Sequence, residues 1–103
     1  MKKKVLFIDR DGVLLREPPE DYQVDSFEKF ELLPGAISAL RDLIAAGTYE
    51  LVMVTNQDGL GTESFPEEDF WGPQNLLLQI LESEGIIFRA IHIDRSFAHE
   101  NLP

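Results

Sequence analysis

Apolar positions along this chain fall into two kinds of run, and the two kinds alternate. Val5-Leu6-Phe7-Ile8, Leu51-Val52-Met53-Val54 and the stretch from Phe88 to Ile93 are short and rich in β-branched or aromatic residues, the pattern of buried strands. Between them, Ala36, Ile37, Leu40, Leu43 and Ile44, and later Leu76, Leu77, Ile80 and Leu81, recur at helical spacing. The pattern predicts strands over about 4–8, 50–55 and 88–93 with a helix in each interval. The order β-α-β-α-β implies an α/β fold with a parallel sheet and right-handed crossovers.

Local signals place the ends of these elements. Pro34 suits a first helical turn and Gly47 a helix stop. Ser64 with Glu67 has the spacing of a capping box, with Pro66 in the first turn of the helix that follows. Pro73 predicts a break or kink near Trp71-Gly72, after which the helix runs on to Gly85. A polar loop containing Pro18-Pro19 carries the chain from the first strand to about Phe30. The first strand is apolar on both faces, as a central strand is. Only Asp94 to Pro103 follow the third strand, so residues 1–103 read as one partial domain, the amino-terminal portion of a larger doubly wound sheet. A complete three-stranded miniature is the alternative, and either would leave a sheet edge or face without cover.

The chemistry gathers where the first two strands end. Asp9-Arg10-Asp11-Gly12-Val13 follows one, and Thr55-Asn56-Gln57-Asp58-Gly59 follows the other. Parallel strands bring such ends to one rim, where open α/β sheets bind their ligands. Two carboxylates two positions apart suit a divalent metal, a nucleophile and a proton donor, and a phosphate ester is the substrate class that needs all three. Against this, Asp-x-Asp is common in a chain with 19 acidic residues, and Asp-Gly is a routine turn signal. The second polar strand end, facing the same rim, favours the functional reading.

Composition narrows the partners. A net charge of −10 argues against nucleic acid, whose phosphates would be repelled. A chain this acidic handles an anionic small molecule only with a local cation, which again points to a metal at Asp9 and Asp11. The absence of cysteine excludes disulfides and thiolate metal sites. Behind Met1-Lys2-Lys3-Lys4 the apolar run is four residues long, too short for a secretory or membrane segment. A cytoplasmic location and no membrane partner are expected.

With Asp9-Arg10-Asp11-Gly12-Val13 and Val54-Thr55-Asn56-Gln57 in place, the chain resembles the haloacid dehalogenase-like phosphatases. Within them it looks most like the histidinol-phosphate phosphatases, on Glu17-Pro18-Pro19, on the block from Val52 to Thr62, and on Ser64-Phe65-Pro66, Asp69-Phe70 and Gly72-Pro73-Gln74-Asn75-Leu76. That resemblance implies a Rossmann-like three-layer sandwich and Mg²⁺-dependent hydrolysis of L-histidinol phosphate in histidine biosynthesis. It implies Asp9 as nucleophile, Asp11 as general acid and base, and Thr55 and Asn56 on the phosphoryl oxygens. Asp9 and Asp11 would ligate Mg²⁺, the latter through its backbone carbonyl. Gln57 is a candidate substrate contact; Arg10 either reaches the substrate or ion-pairs on the rim; and Glu17 is either a contact on a flap or an ordinary exposed charge. A fused dehydratase domain accompanies such phosphatases in bifunctional relatives. A heptose bisphosphate phosphatase, which shares the first motif, is one competing reading; a non-catalytic remnant or binding module is the other.

The chain departs from the family in three respects. A phosphate-neutralising lysine and a late acidic motif would lie beyond Pro103. Many members also carry a zinc loop after the third strand, where this chain has Ile93-Asp94-Arg95-Ser96-Phe97-Ala98-His99-Glu100. One histidine with carboxylates is not a closed tetrahedral zinc set, so no zinc is expected. His92 reads as packed or partly exposed and His99 as solvated. Trp71 reads as packing at the helix break, with stacking on an imidazole-bearing substrate as the alternative, and Glu67, Glu68 and Asp69 as first-turn acids favoured by the helix dipole.

Overall fold

The computed structural model describes residues 4–19 and 23–95; His99 and the zinc-loop positions from Ser96 onward lie outside them. Three strands, β1 (Lys4–Asp9), β2 (Tyr49–Asn56) and β3 (Ala90–Asp94), alternate with two helices, α1 (Ala36–Ala45) and α2 (Glu67–Ser83). The sheet is parallel throughout, in the order β1-β2-β3.

The register decides which side chains share a face. Leu6 lies beside Leu51, Ile8 beside Met53, and Met53 beside Ile91. This face meets Leu40 of α1 and Leu77 and Leu81 of α2 in one apolar cluster, joined by Leu14, Leu15, Val24 and Ile86. Both helices therefore cover the same side of the sheet, as two right-handed crossovers between sequential neighbours require. Burying a side chain such as Leu51 or Met53 stabilises the fold by about 1.5–3 kcal/mol. On the opposite face Val5 is 42% and Phe7 63% exposed. The described residues thus supply the sheet and one helical layer of the expected three. A smaller cluster of Leu60, Phe65 and Phe70 sits under the loop after β2.

Among the described strands β2 lies between the other two and β1 at one side, which leaves the expected central place of β1 in a larger sheet untouched. Three expectations are corrected. The capping box does not form. Pro66 itself occupies the N-cap with no side-chain cap, Ser64 pairs with the Thr62 hydroxyl, and Glu67 turns to Arg95 and the Trp71 indole N–H. Pro73 does not break α2, which runs through it for 17 residues with Phe70, Pro73, Gln74, Leu77 and Leu81 buried. One missing N–H is outweighed by that continuous buried stripe. Finally, α1 begins after Pro34, with Gly35 as N-cap in the left-handed region at φ 82°.

Candidate active site

β1 delivers Asp9 to the rim, in register with Val54 of β2, and Arg10 N–H donates to the Val54 carbonyl at 3.0 Å. The chain then turns sharply. The Arg10 carbonyl accepts from Leu14 and Leu15 N–H, both at 2.9 Å, and Gly12 sits at φ 85°, a conformation open to glycine and strained for other residues. The turn aims the Asp11 carboxylate across the sheet at the end of β2. The loop after β2 is pinned to the end of β3, Gln57 N–H donating to the Asp94 carbonyl and Gly59 N–H to that of Arg95.

The Asp11 carboxylate is held by three side chains. Arg10 donates from Nε to Oδ1 at 3.0 Å and from Nη2 to Oδ2 at 3.1 Å. Gln57 Nε2 donates to Oδ2 at 2.9 Å and the Thr55 hydroxyl to the same oxygen at 3.3 Å. Arg10 is fully buried. Its remaining arm, Nη1, donates to Gln74 Oε1 at 3.0 Å, and its Cζ lies over the Phe70 ring, 5.1 Å from the centroid. Burial pushes the guanidinium below its ordinary value, while the Asp11 charge and hydrogen bonds act in the opposite sense. A buried cation is tolerable only with this kind of pairing.

Asp9, Arg10, Asp11, Glu17, Val54, Thr55 and Asn56 line one cleft of about 160 Å³ at the carboxyl ends of β1 and β2. Six of the seven residues singled out from the sequence therefore meet in one place. The seventh, Gln57, lies buried behind Asp11 and Thr55, donating to both, and its Oε1 has no hydrogen-bond partner. Asp9, Glu17 and Asn56 are exposed. Trp71 is half-buried and packs edge-on to Phe70, so it does not reach the cleft as a stacking platform. Sequence reasoning counted Gln74 and Phe70 in the resemblance but gave neither a place at the site. The available signal was spacing: Phe70, Gln74, Leu77 and Leu81 share one helical stripe, and a lone amide on that stripe must find a buried partner.

The cleft offers oxygen donors. Among the described residues no group of three or more His, Cys, Asp or Glu side chains is arranged to hold a metal. Mg²⁺ does not need such a group, since it is commonly bound through one or two carboxylates with water and substrate phosphate completing the shell. The exposed Asp9 carboxylate fits that pattern. No helix of the described residues is long and apolar enough to cross a membrane.

No protein-family model matches the chain. It is 54% identical over 99 residues to the histidine biosynthesis bifunctional protein HisB of Spirosoma linguale and 58% identical over 100 residues to that of Bacteroides fragilis. These matches cover 96% and 97% of this chain but only 26% and 27% of those proteins, so the chain spans about a quarter of their length. Among solved structures, D,D-heptose 1,7-bisphosphate phosphatase from B. bronchiseptica, complexed with magnesium and phosphate, superposes with a TM-score of 0.81 at 26% identity. That match covers 96% of this chain and 54% of the other. A candidate HAD-like phosphatase of Mesorhizobium loti follows with a TM-score of 0.71 at 25% identity, over 90% of this chain and 42% of its own.

Proposed function

Homologous over nearly its whole length to part of the histidine-biosynthesis bifunctional proteins, and folded as a haloacid dehalogenase-like phosphatase, this chain is, we propose, the amino-terminal portion of a phosphomonoesterase acting on L-histidinol phosphate. The observation that carries the reading is the convergence of Asp9, Asp11, Thr55 and Asn56 on one small cleft at the ends of adjacent parallel strands.

In this reading the Asp9 carboxylate attacks phosphorus, the ester P–O bond breaks, and the departing alkoxide takes a proton from Asp11. Water then attacks the phosphorus of the aspartyl-phosphate, giving its proton to Asp11, and phosphate leaves as the Asp9 carboxylate is regenerated. Asn56 supplies amide donors to the phosphoryl oxygens, and the Thr55 hydroxyl joins them by giving up its long bond to Asp11 Oδ2. Such donors make the electrostatic contribution that dominates phosphoryl transfer. With the Asp11 carboxylate engaged by Arg10, Gln57 and Thr55, its main-chain carbonyl and the Asp9 carboxylate are the donors that would hold Mg²⁺. When bound there, the ion neutralises phosphoryl charge in an otherwise acidic chain.

A heptose bisphosphate phosphatase is the second reading, favoured by the fold match; the 54–58% identity to the histidine-biosynthesis proteins ranks it lower. Family roles for a lysine and a further acidic motif are not matched within these residues, and losing one such donor costs about 100- to 1,000-fold in turnover. The test is phosphate release with Mg²⁺ from L-histidinol phosphate and, separately, from heptose bisphosphate, for this chain and its Asp9→Asn variant. Slow release from histidinol phosphate that disappears in the variant is the expected result. Preference for the heptose substrate would replace the first reading with the second. No release from either substrate by a folded chain fits a site that lacks its lysine and late acidic motif, and the same assay on the chain extended through those motifs then separates a phosphatase from a non-catalytic binding module.

A further inference from the structure

Arg10 lies between the two aspartates of the site, where a cation would ordinarily be read as a ligand for the phosphate. Its geometry says otherwise. The guanidinium has no accessible surface, and each of its three nitrogens donates to a protein acceptor: Nε and Nη2 to Asp11, Nη1 to Gln74. Reaching into the cleft would break charge-assisted bonds and strand a charge against Phe70.

An arginine next in sequence to its carboxylate has several ways to pair with it. The contact that selects one comes from 64 residues away. Gln74 must present Oε1 to Nη1, since a guanidinium only donates, and its Nε2 is then directed at Met53 Sδ, 3.5 Å away in the core of the sheet. Phe70, one turn earlier on α2, supplies the ring under the guanidinium plane. A cation with an aromatic ring on one side and one arm bonded to Gln74 presents its other two nitrogens to Asp11 in a single orientation.

We infer that Gln74 is a positioning residue for Asp11, acting through Arg10, so that the seating of α2 sets the direction of the carboxylate that faces the cleft. Arg10 is the rigid link between helix and carboxylate, not a substrate ligand. The inference rests on the reading of Asp11 as the proton-handling group, but its test does not require turnover.

The experiment follows the Arg10 guanidinium and Gln57 side-chain amide signals by ¹⁵N–¹H NMR in this chain and in its Gln74→Met and Gln74→Glu variants. Gln57 donates to Asp11 Oδ2, the oxygen that Arg10 Nη2 also reaches, and so reports on the carboxylate independently of the Arg10 signals. Gln74→Met keeps the volume and removes the acceptor. Solvent exchange at Arg10 Nε–H should rise about tenfold or more, the scale of one hydrogen bond to a charged group, and the Gln57 amide signals should move. Gln74→Glu restores an acceptor and should restore both signals, a rescue that packing alone does not produce. An unmoved Gln57 amide in Gln74→Met, or no rescue by Gln74→Glu, overturns the inference. If Gln74→Met does not fold, the unaltered chain decides: separate, slowly rotating Nη signals for Arg10 support the inference and a freely rotating guanidinium sinks it. Absence of phosphate release would count against the proposed activity and leave these signals to be read on their own.

Discussion

Gln57 and Asp11 stand 46 residues apart in sequence and are joined by one hydrogen bond, Gln57 Nε2 donating to Asp11 Oδ2 at 2.9 Å. The same nitrogen donates to the Thr55 hydroxyl at 2.8 Å, so one amide ties the turn after β1 to the end of β2. The price of that tie is the other end of the amide, where Oε1 is buried without a partner.

Replacing Gln57 with glutamate would set a buried carboxylate against that of Asp11. We expect Gln57→Glu to cost about 2 kcal/mol, the middle of the range for a buried group left without its hydrogen bond. That corresponds to a fall of roughly 10 °C in Tm for a domain of this size. Gln57→Met also loses the bond to Asp11 but removes the orphaned oxygen, and should cost about half as much. Thermal unfolding followed by circular dichroism ranks the two, and equal or greater stability of the glutamate variant would contradict the contact.

Gly12→Ala isolates backbone strain at the turn that carries Asp11. A Cβ there meets nothing within 4 Å, so the cost is the φ of +85° alone, about 1 kcal/mol or somewhat more. Denaturant unfolding should show that loss without a change in slope.

Pro73→Ala opposes two effects. Alanine in a helix interior is favoured over proline by about 3 kcal/mol. Losing two buried methylenes costs about 0.8 kcal/mol each, and the freer unfolded chain costs roughly 0.4–1 kcal/mol more. A net gain of up to about 1 kcal/mol is expected. A denaturant midpoint that falls instead would show that the buried ring packs better than its volume implies.

Phe7 is exposed on an edge strand of a parallel sheet, a combination that invites self-association. Phe7→Lys should reduce the associated fraction seen by sedimentation velocity while leaving the unfolding midpoint nearly unchanged.

How far the sequence could be read depended on how local each determinant was. β1 and β2 were legible to within a residue at each end because their apolar runs stop at polar residues. β3 starts two residues later than Phe88, since Arg89 uses its N–H on the Leu51 carbonyl before the ladder begins. The rim was legible because parallel strands align their ends. The burial of Arg10 was not: between two aspartates it looks solvated, and only the amide on α2 and the ring of Phe70 make a buried cation tolerable there.

The reach from Arg10 to Gln74 also dictates an order of assembly. β1, α1 and β2 are complete by Asn56, and a chain emerging from the ribosome can pair its first two strands at that stage. Until Gln74 has been synthesised and α2 has docked, the guanidinium lacks both its amide acceptor and its ring. Asp9, Thr55 and Asn56 are then on the nascent sheet, with the neighbouring carboxylate reached by Thr55 and Gln57 but not yet by a seated Arg10. The rim is built early, and its alignment arrives with the second helix.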